Sequence, residues 1–134
     1  MSIKVSVLGA KGKMGSEVVK AINQAQDLEL VASIDQNDSF DLVKNSGCNV
    51  AVDFTTPDSV MTNIELLIKA GISPVVGTTG IDDKKIELIK KLSADNGNIS
   101  VRVVPNFSVG AILMMRFAKM ATKFYDSVEI IEYH

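Results

Sequence analysis

The chain has 134 residues, 46% of them hydrophobic, and its 14 Lys and Arg against 16 Asp and Glu give a formal charge of -2. These figures suit one globular domain with a single core, exclude a multidomain assembly within these residues, and leave no cationic face for nucleic acid. The most apolar run, Val109 to Met115, stops at Arg116, well short of the roughly 20 residues needed to cross a bilayer, so no membrane partner is expected.

The elements follow in chain order. Ile3, Val5, Val7 and Leu8 predict a first strand ending at Gly9, and Val18, Val19, Ala21 and Ile22 a helix after it. Lys4 interrupts the apolar start, which does not resemble a signal peptide, and a cytoplasmic protein is expected. Leu28 to Ile34 reads as a second strand, buried on both faces, and the stretch from Gln36 to Asn49 as polar and poor in helix. Val50 to Phe54 is a third strand. Thr56 then caps a helix with Pro57 at its first position, Ile64, Leu67 and Ile68 on its apolar side and Gly71 as its stop.

Pro74 to Val76 predicts strand four, closed by Gly77. Asp82 or Asp83 caps a helix carrying Ile86, Ile89 and Leu92 on one face, ended by Asn96-Gly97. Val101 to Val104 reads as strand five, Ser108 as the cap of a helix with Ile112, Met115, Met120 and Phe124 on one side, and Ser127 to Tyr133 as a final strand. Met114, Met115 and Met120 are expected to pack in a core. Six strands alternating with helices imply right-handed crossovers and a doubly wound α/β fold with a mainly parallel sheet. Ligands of such sheets sit beyond the carboxyl ends of the strands.

Those strand ends carry the candidate chemistry. Gly9, Gly12 and Gly15 make G-x-x-G-x-x-G between the first strand and helix, a dinucleotide fingerprint with its first pair spaced one residue wider than usual. Glycines there allow a tight turn and bring backbone N–H groups close to a pyrophosphate. Asp35, twenty residues after Gly15, ends strand two where an acid accepts from the ribose hydroxyls of NAD. Lys11 and Lys13 flank the glycine turn and suit the 2′-phosphate of NADP. Thr55-Thr56-Pro57, Gly77-Thr78-Thr79-Gly80 and Pro105-Asn106-Phe107-Ser108 follow strands three, four and five and converge on the same crevice, where Phe54 or Phe107 could lie against a ring. A single Cys48 and one His give neither an intramolecular disulfide nor a four-ligand zinc site, and Cys48 reads as a structural or incidental thiol.

The strings Gly-Ala-Lys-Gly-Lys-Met-Gly at 9 to 15, Val-Asp-Phe-Thr-Thr-Pro at 52 to 57, Val-Gly-Thr-Thr-Gly at 76 to 80, Val-Pro-Asn-Phe-Ser-Val-Gly at 104 to 110 and Glu-Ile-Ile-Glu-Tyr-His at 129 to 134 together resemble the dihydrodipicolinate reductases of bacterial lysine and diaminopimelate synthesis. The resemblance runs the length of the chain. It implies that Gly9, Ala10, Lys11, Gly12, Lys13 and Met14 hold the pyrophosphate and Asp35 the adenosine ribose. Gly77, Thr78, Thr79, Val104, Pro105, Asn106 and Phe107 would hold the nicotinamide end. It implies use of both NADH and NADPH, a cyclic imine dicarboxylate as substrate, a homotetramer, and His134 as the residue that manages a proton beside the substrate. It further implies a dinucleotide-binding domain over residues 1–127 and a hinge strand over 128–134 leading to a substrate domain beyond. The alternative is a dinucleotide-binding module without catalysis of its own.

Overall fold

The computed structural model describes residues 2–131. Five strands, β1 (Ile3–Leu8), β2 (Leu28–Ile34), β3 (Val50–Asp53), β4 (Ser73–Val76) and β5 (Arg102–Val103), alternate with helices α1 (Lys13–Gln24), α2 (Asp41–Lys44), α3 (Val60–Lys69), α4 (Asp83–Asp95) and α5 (Val109–Ala121). The sheet order is β2-β1-β3-β4-β5 and every pairing is parallel. The expected doubly wound α/β fold is therefore observed.

Helices cover both faces because the strands alternate. Val5 and Val7 of β1 join Ile22 on the α1 side, while Leu8 packs with Ile34, Val43, Ala51 and Leu67 on the other. A third cluster, Val60, Ile64, Ile68, Val76 and Ile89, wedges α3 and α4 against β4. Ile89 is the most buried of the three apolar residues expected to share a face of α4, and the carboxylate of Asp82 caps that helix by accepting from the Lys85 N–H at 2.9 Å.

Residues 36–49 are poor in helix as expected, with only the single turn of α2, which buries Val43 completely. One turn offers too few residues to show a period, and the anchor is a single side chain. Two expectations change. The helix after β3 is entered through a turn, with the Ser59 and Val60 N–H groups bonded to the Thr56 carbonyl before α3 proper begins at Val60. Pro57 thus lies in the turn that leads into the helix. Among the described residues there are five strands, not six; Ser127–Ile131 pair with no strand, and the rest of that segment lies outside the described residues.

Helix α5 departs further. Ser108 caps it as expected, accepting from the Ala111 N–H at 3.3 Å, yet the helix buries no residue. Met114, Met115 and Met120 are 47%, 58% and 64% exposed, so the packing expected of them is absent among the described residues. Periodicity reveals that a helix has an apolar side; it does not reveal what covers that side. Cys48 is buried in the core cluster of Leu8 and Val43, its thiol 3.8 Å from the Val43 carbonyl, which fits the structural one of the two roles expected.

Candidate dinucleotide site

The chain runs from β1 outward to β2 and then returns to β3 on the other side of β1, so the order of strands reverses between β1 and β3. Loops leaving two such strands diverge and open a crevice. A cavity of about 480 Å³ lies there, lined by Leu8 at the end of β1 and Gly9 and Gly12 after it, Asp35 and Asp38 after β2, Phe54, Thr55 and Thr56 after β3, and by Phe40, Ser59 and Asn63.

The glycine turn is bound to the end of β2. Gly9 and Ala10 N–H groups both donate to the Ile34 carbonyl, at 2.9 and 3.1 Å, and the Lys11 N–H donates to Asp35 Oδ2 at 2.8 Å. Gly9 has φ +76, and a Cβ there would run into the Phe54 carbonyl, which explains why the turn starts with glycine. Gly12 is different. Its backbone is extended, and a Cβ would meet only the Gly9 carbonyl at 3.2 Å. Gly12 lines the cavity and stands at the N-cap of α1, a helix with no side-chain cap and no acid in its first turn. An uncapped helix N-terminus facing a cavity suits a pyrophosphate, because unsatisfied N–H groups and the helix dipole both favour an anion. The residues present therefore fit a dinucleotide.

Asp35 is held as an acceptor. The Gln36 N–H bonds its Oδ1 at 2.9 Å and the Lys11 N–H its Oδ2; these two bonds, in that order, hold the carboxyl below its ordinary value against an opposing desolvation, and the Lys11 charge contributes least. Its own N–H donates to Asp38 Oδ2 at 2.8 Å, so a second carboxylate supports the strand end. Lys11, Lys13 and Met14 are exposed, and neither lysine enters an ion pair among the described residues.

The second group of predicted residues gathers past Phe54. Its ring meets that of Phe107 edge to face, with centroids 4.9 Å apart. Both rings lie over Gly77, where a Cβ would collide with Phe54 and come within 2.9 Å of Phe107. Thr78 is buried, Thr79 exposed, and the Val104 N–H donates to the Val76 carbonyl at 2.9 Å, which brings the loop of Pro105 and Asn106 to the end of β4. Asn106 Oδ1 accepts from the Ser108 N–H at 2.7 Å and shapes the entry to α5. Gly77, Thr78, Thr79 and residues 104–107 thus sit together, next to the cavity and not among its lining residues. His134 lies outside the described residues.

Sequence reasoning passed over Asp53, Asn63, Asp38, Phe40 and Ser59. Asp53 carried a usable signal, an acid closing an apolar strand at the carboxyl edge of the sheet. Asp38 lies in a local turn with Asp35, and Asn63, Phe40 and Ser59 reach the cavity through tertiary packing. Among the described residues, no cluster of three His, Cys, Asp or Glu could hold a metal, and no helix is long and apolar enough to cross a membrane.

A parallel sheet with an uncapped helix N-terminus and an acid facing one crevice defines a Rossmann-type dinucleotide-binding domain. The family model described as dihydrodipicolinate reductase, N-terminus, matches residues 3–107. The chain belongs to that family. It is 50% identical over its 134 residues to 4-hydroxy-tetrahydrodipicolinate reductase of Corynebacterium diphtheriae and 51% identical over 132 residues to that of Cutibacterium acnes, covering 54% and 53% of those proteins. Among solved structures, dipicolinate-bound dihydrodipicolinate reductase from Paenisporosarcina sp. TG-14 superposes with TM-score 0.78 at 31% identity, over 93% of this chain and 55% of that one. Apo scyllo-inositol dehydrogenase from Lactobacillus casei, at 16% identity and TM-score 0.68 over 90% of this chain and 42% of that one, shares the fold. The chain spans about half the length of the curated relatives it matches.

Proposed function

We propose that this chain is the cofactor-binding half of an NAD(P)H-dependent reductase that converts a cyclic imine dicarboxylate, 4-hydroxy-tetrahydrodipicolinate or dihydrodipicolinate, to tetrahydrodipicolinate in lysine and diaminopimelate synthesis. The observation that carries the reading is the uncapped start of α1 opening, beside Asp35, into the cavity where the strand order reverses. In this reading the first-turn N–H groups of α1 bind the pyrophosphate and Asp35 accepts from the adenosine ribose. Phe54, Gly77, Thr78, Thr79 and residues 104–107 receive the nicotinamide, and the two aromatic rings keep water from its face. The cofactor supplies the hydride.

Lys11, bonded to the acid through its N–H, and Lys13, exposed at the start of α1, support use of NADPH as well as NADH. His134 is the proposed proton donor or acceptor beside the substrate, and residues 128–134 the hinge that joins residues 1–127 to a substrate domain. A cytoplasmic homotetramer is the assembly this reading carries with it.

The test is turnover. Residues 1–134 alone should bind NADH and reduce dihydrodipicolinate negligibly, because this reading assigns to the substrate domain the groups that fix a dicarboxylate within the roughly 3–3.5 Å that reaction requires. Joined to the carboxyl-terminal half of a family member, the chain should turn over, and His134→Ala should then lower kcat by about 10²–10⁴-fold. Substantial turnover by the 134 residues alone would overturn the division of labour. A separate binding module with no catalytic part to play would leave the joined protein inactive while still binding cofactor.

A further inference from the structure

Asp53 closes β3 and is fully buried. Its Oδ1 accepts from the Thr55 N–H at 2.9 Å, the Thr55 hydroxyl at 2.7 Å and the Thr78 hydroxyl at 2.8 Å, and its Oδ2 from the Asn63 side-chain amide at 2.8 Å. The Thr55 N–H and the Asn63 amide nitrogen can only donate, so all four contacts suit an ionised carboxylate and none requires a proton on it. No ion pair reaches Asp53 among the described residues; the three present join Lys and Glu along exposed helix faces. The charge is held by neutral dipoles, which fix it in place without supplying an opposite charge. In a buried setting its field is screened far less than at the surface.

Thr78 is at once a direct partner of this carboxylate and one of the residues assigned to the nicotinamide end. The reduced nicotinamide ring is neutral and the oxidised ring carries one positive charge, so a fixed negative charge nearby acts on the difference between them. We propose that Asp53 is an electrostatic group of the cofactor site which favours the oxidised nicotinamide over the reduced one, and so eases the build-up of positive charge on the ring as hydride departs. The inference rests on the dinucleotide-binding reading above and adds to it a role for a residue that need not touch the cofactor.

The experiment compares dissociation constants for NAD+, NADH and ADP-ribose. Asp53→Asn keeps an acceptor toward Thr55 and Thr78, and the Asn63 amide can turn its carbonyl to the new NH₂ at the loss of its 3.1 Å bond to the Thr55 hydroxyl, so most of the geometry is kept while the charge goes. The ratio of the NAD+ to the NADH dissociation constant should rise about fivefold, as expected for losing one partly screened charge, while ADP-ribose, which lacks the ring, stays within about twofold. Asn63→Lys leaves the carboxylate in place but sets a cation against it, and should move the ratio in the same direction. A merely structural role for Asp53 would change the melting temperature or all three affinities together and leave the ratio alone. An unchanged ratio in Asp53→Asn overturns the proposal; should that variant fail to fold, an unchanged ratio in Asn63→Lys overturns it. If the unaltered chain binds neither ADP-ribose nor NADH, the dinucleotide reading itself falls and takes the proposal with it.

Discussion

Asp35 ties the glycine turn to the end of β2, and two consequences can be measured. A carboxylate accepts from neutral ribose hydroxyls and repels a 2′-phosphate, so Asp35→Ala should weaken NADH by about 1–3 kcal/mol and NADPH by less. Equal losses would show that Asp35 does not read the ribose. Because its folded-state pKa is lowered, Asp35 stabilises the fold above its ordinary titration range, and that contribution disappears as pH falls through the lowered value. The melting temperature of the unaltered chain should therefore exceed that of Asp35→Asn at neutral pH, and the difference should shrink as pH falls through and below the ordinary carboxylate range. The glycines of the same turn divide by role. Gly9→Ala meets both a positive φ and the Phe54 carbonyl and should cost about 2 kcal/mol or more, whereas Gly12→Ala needs its neighbour to give by only a few tenths of an ångström and should melt near the unaltered chain. Urea denaturation of the pair checks this.

At the scale of elements, the strand and helix order was legible because β-branched runs end at glycine or an acid and apolar stripes recur at the helical period. The bounds of Leu28–Ile34 were readable to the residue, but its burial on both faces was not borne out, since β2 lies at the edge of the sheet and buries only Ile34; of the two acids offered as the cap of α4, Asp82 is the one that serves. What was not legible had too little local signal. Helix α2 is one turn held by Val43, and the network of Asp53 with Asn63 and Thr78 joins residues 10 and 25 positions apart. Helix α5 shows the opposite error: its apolar side was readable, and its burial was inferred from that side alone. Because Phe117 and Met120 are 62% and 64% exposed, replacing both with Lys should leave stability within about 0.5 kcal/mol while lowering the fluorescence of a bound apolar dye. A large loss of stability would mean that α5 packs more tightly than the structure shows.

For the whole molecule, the glycine turn and Asp35 were recognisable as parts of one site because a doubly wound sheet brings the ends of its strands together, whatever their separation along the chain. The division into a cavity beside Asp35 and an aromatic group over Gly77 was not, since it depends on where Phe54 turns after β3. The central claim is that a nicotinamide dinucleotide binds at the switch between β1 and β3 with its pyrophosphate against Gly12. Calorimetric titration of NADH into the unaltered chain and into Gly12→Val tests it most directly. The account predicts saturable binding at one site per chain for the first and none for the second, the two melting within a few degrees of each other; no saturable binding by the unaltered chain, or equal affinity in Gly12→Val, would contradict it.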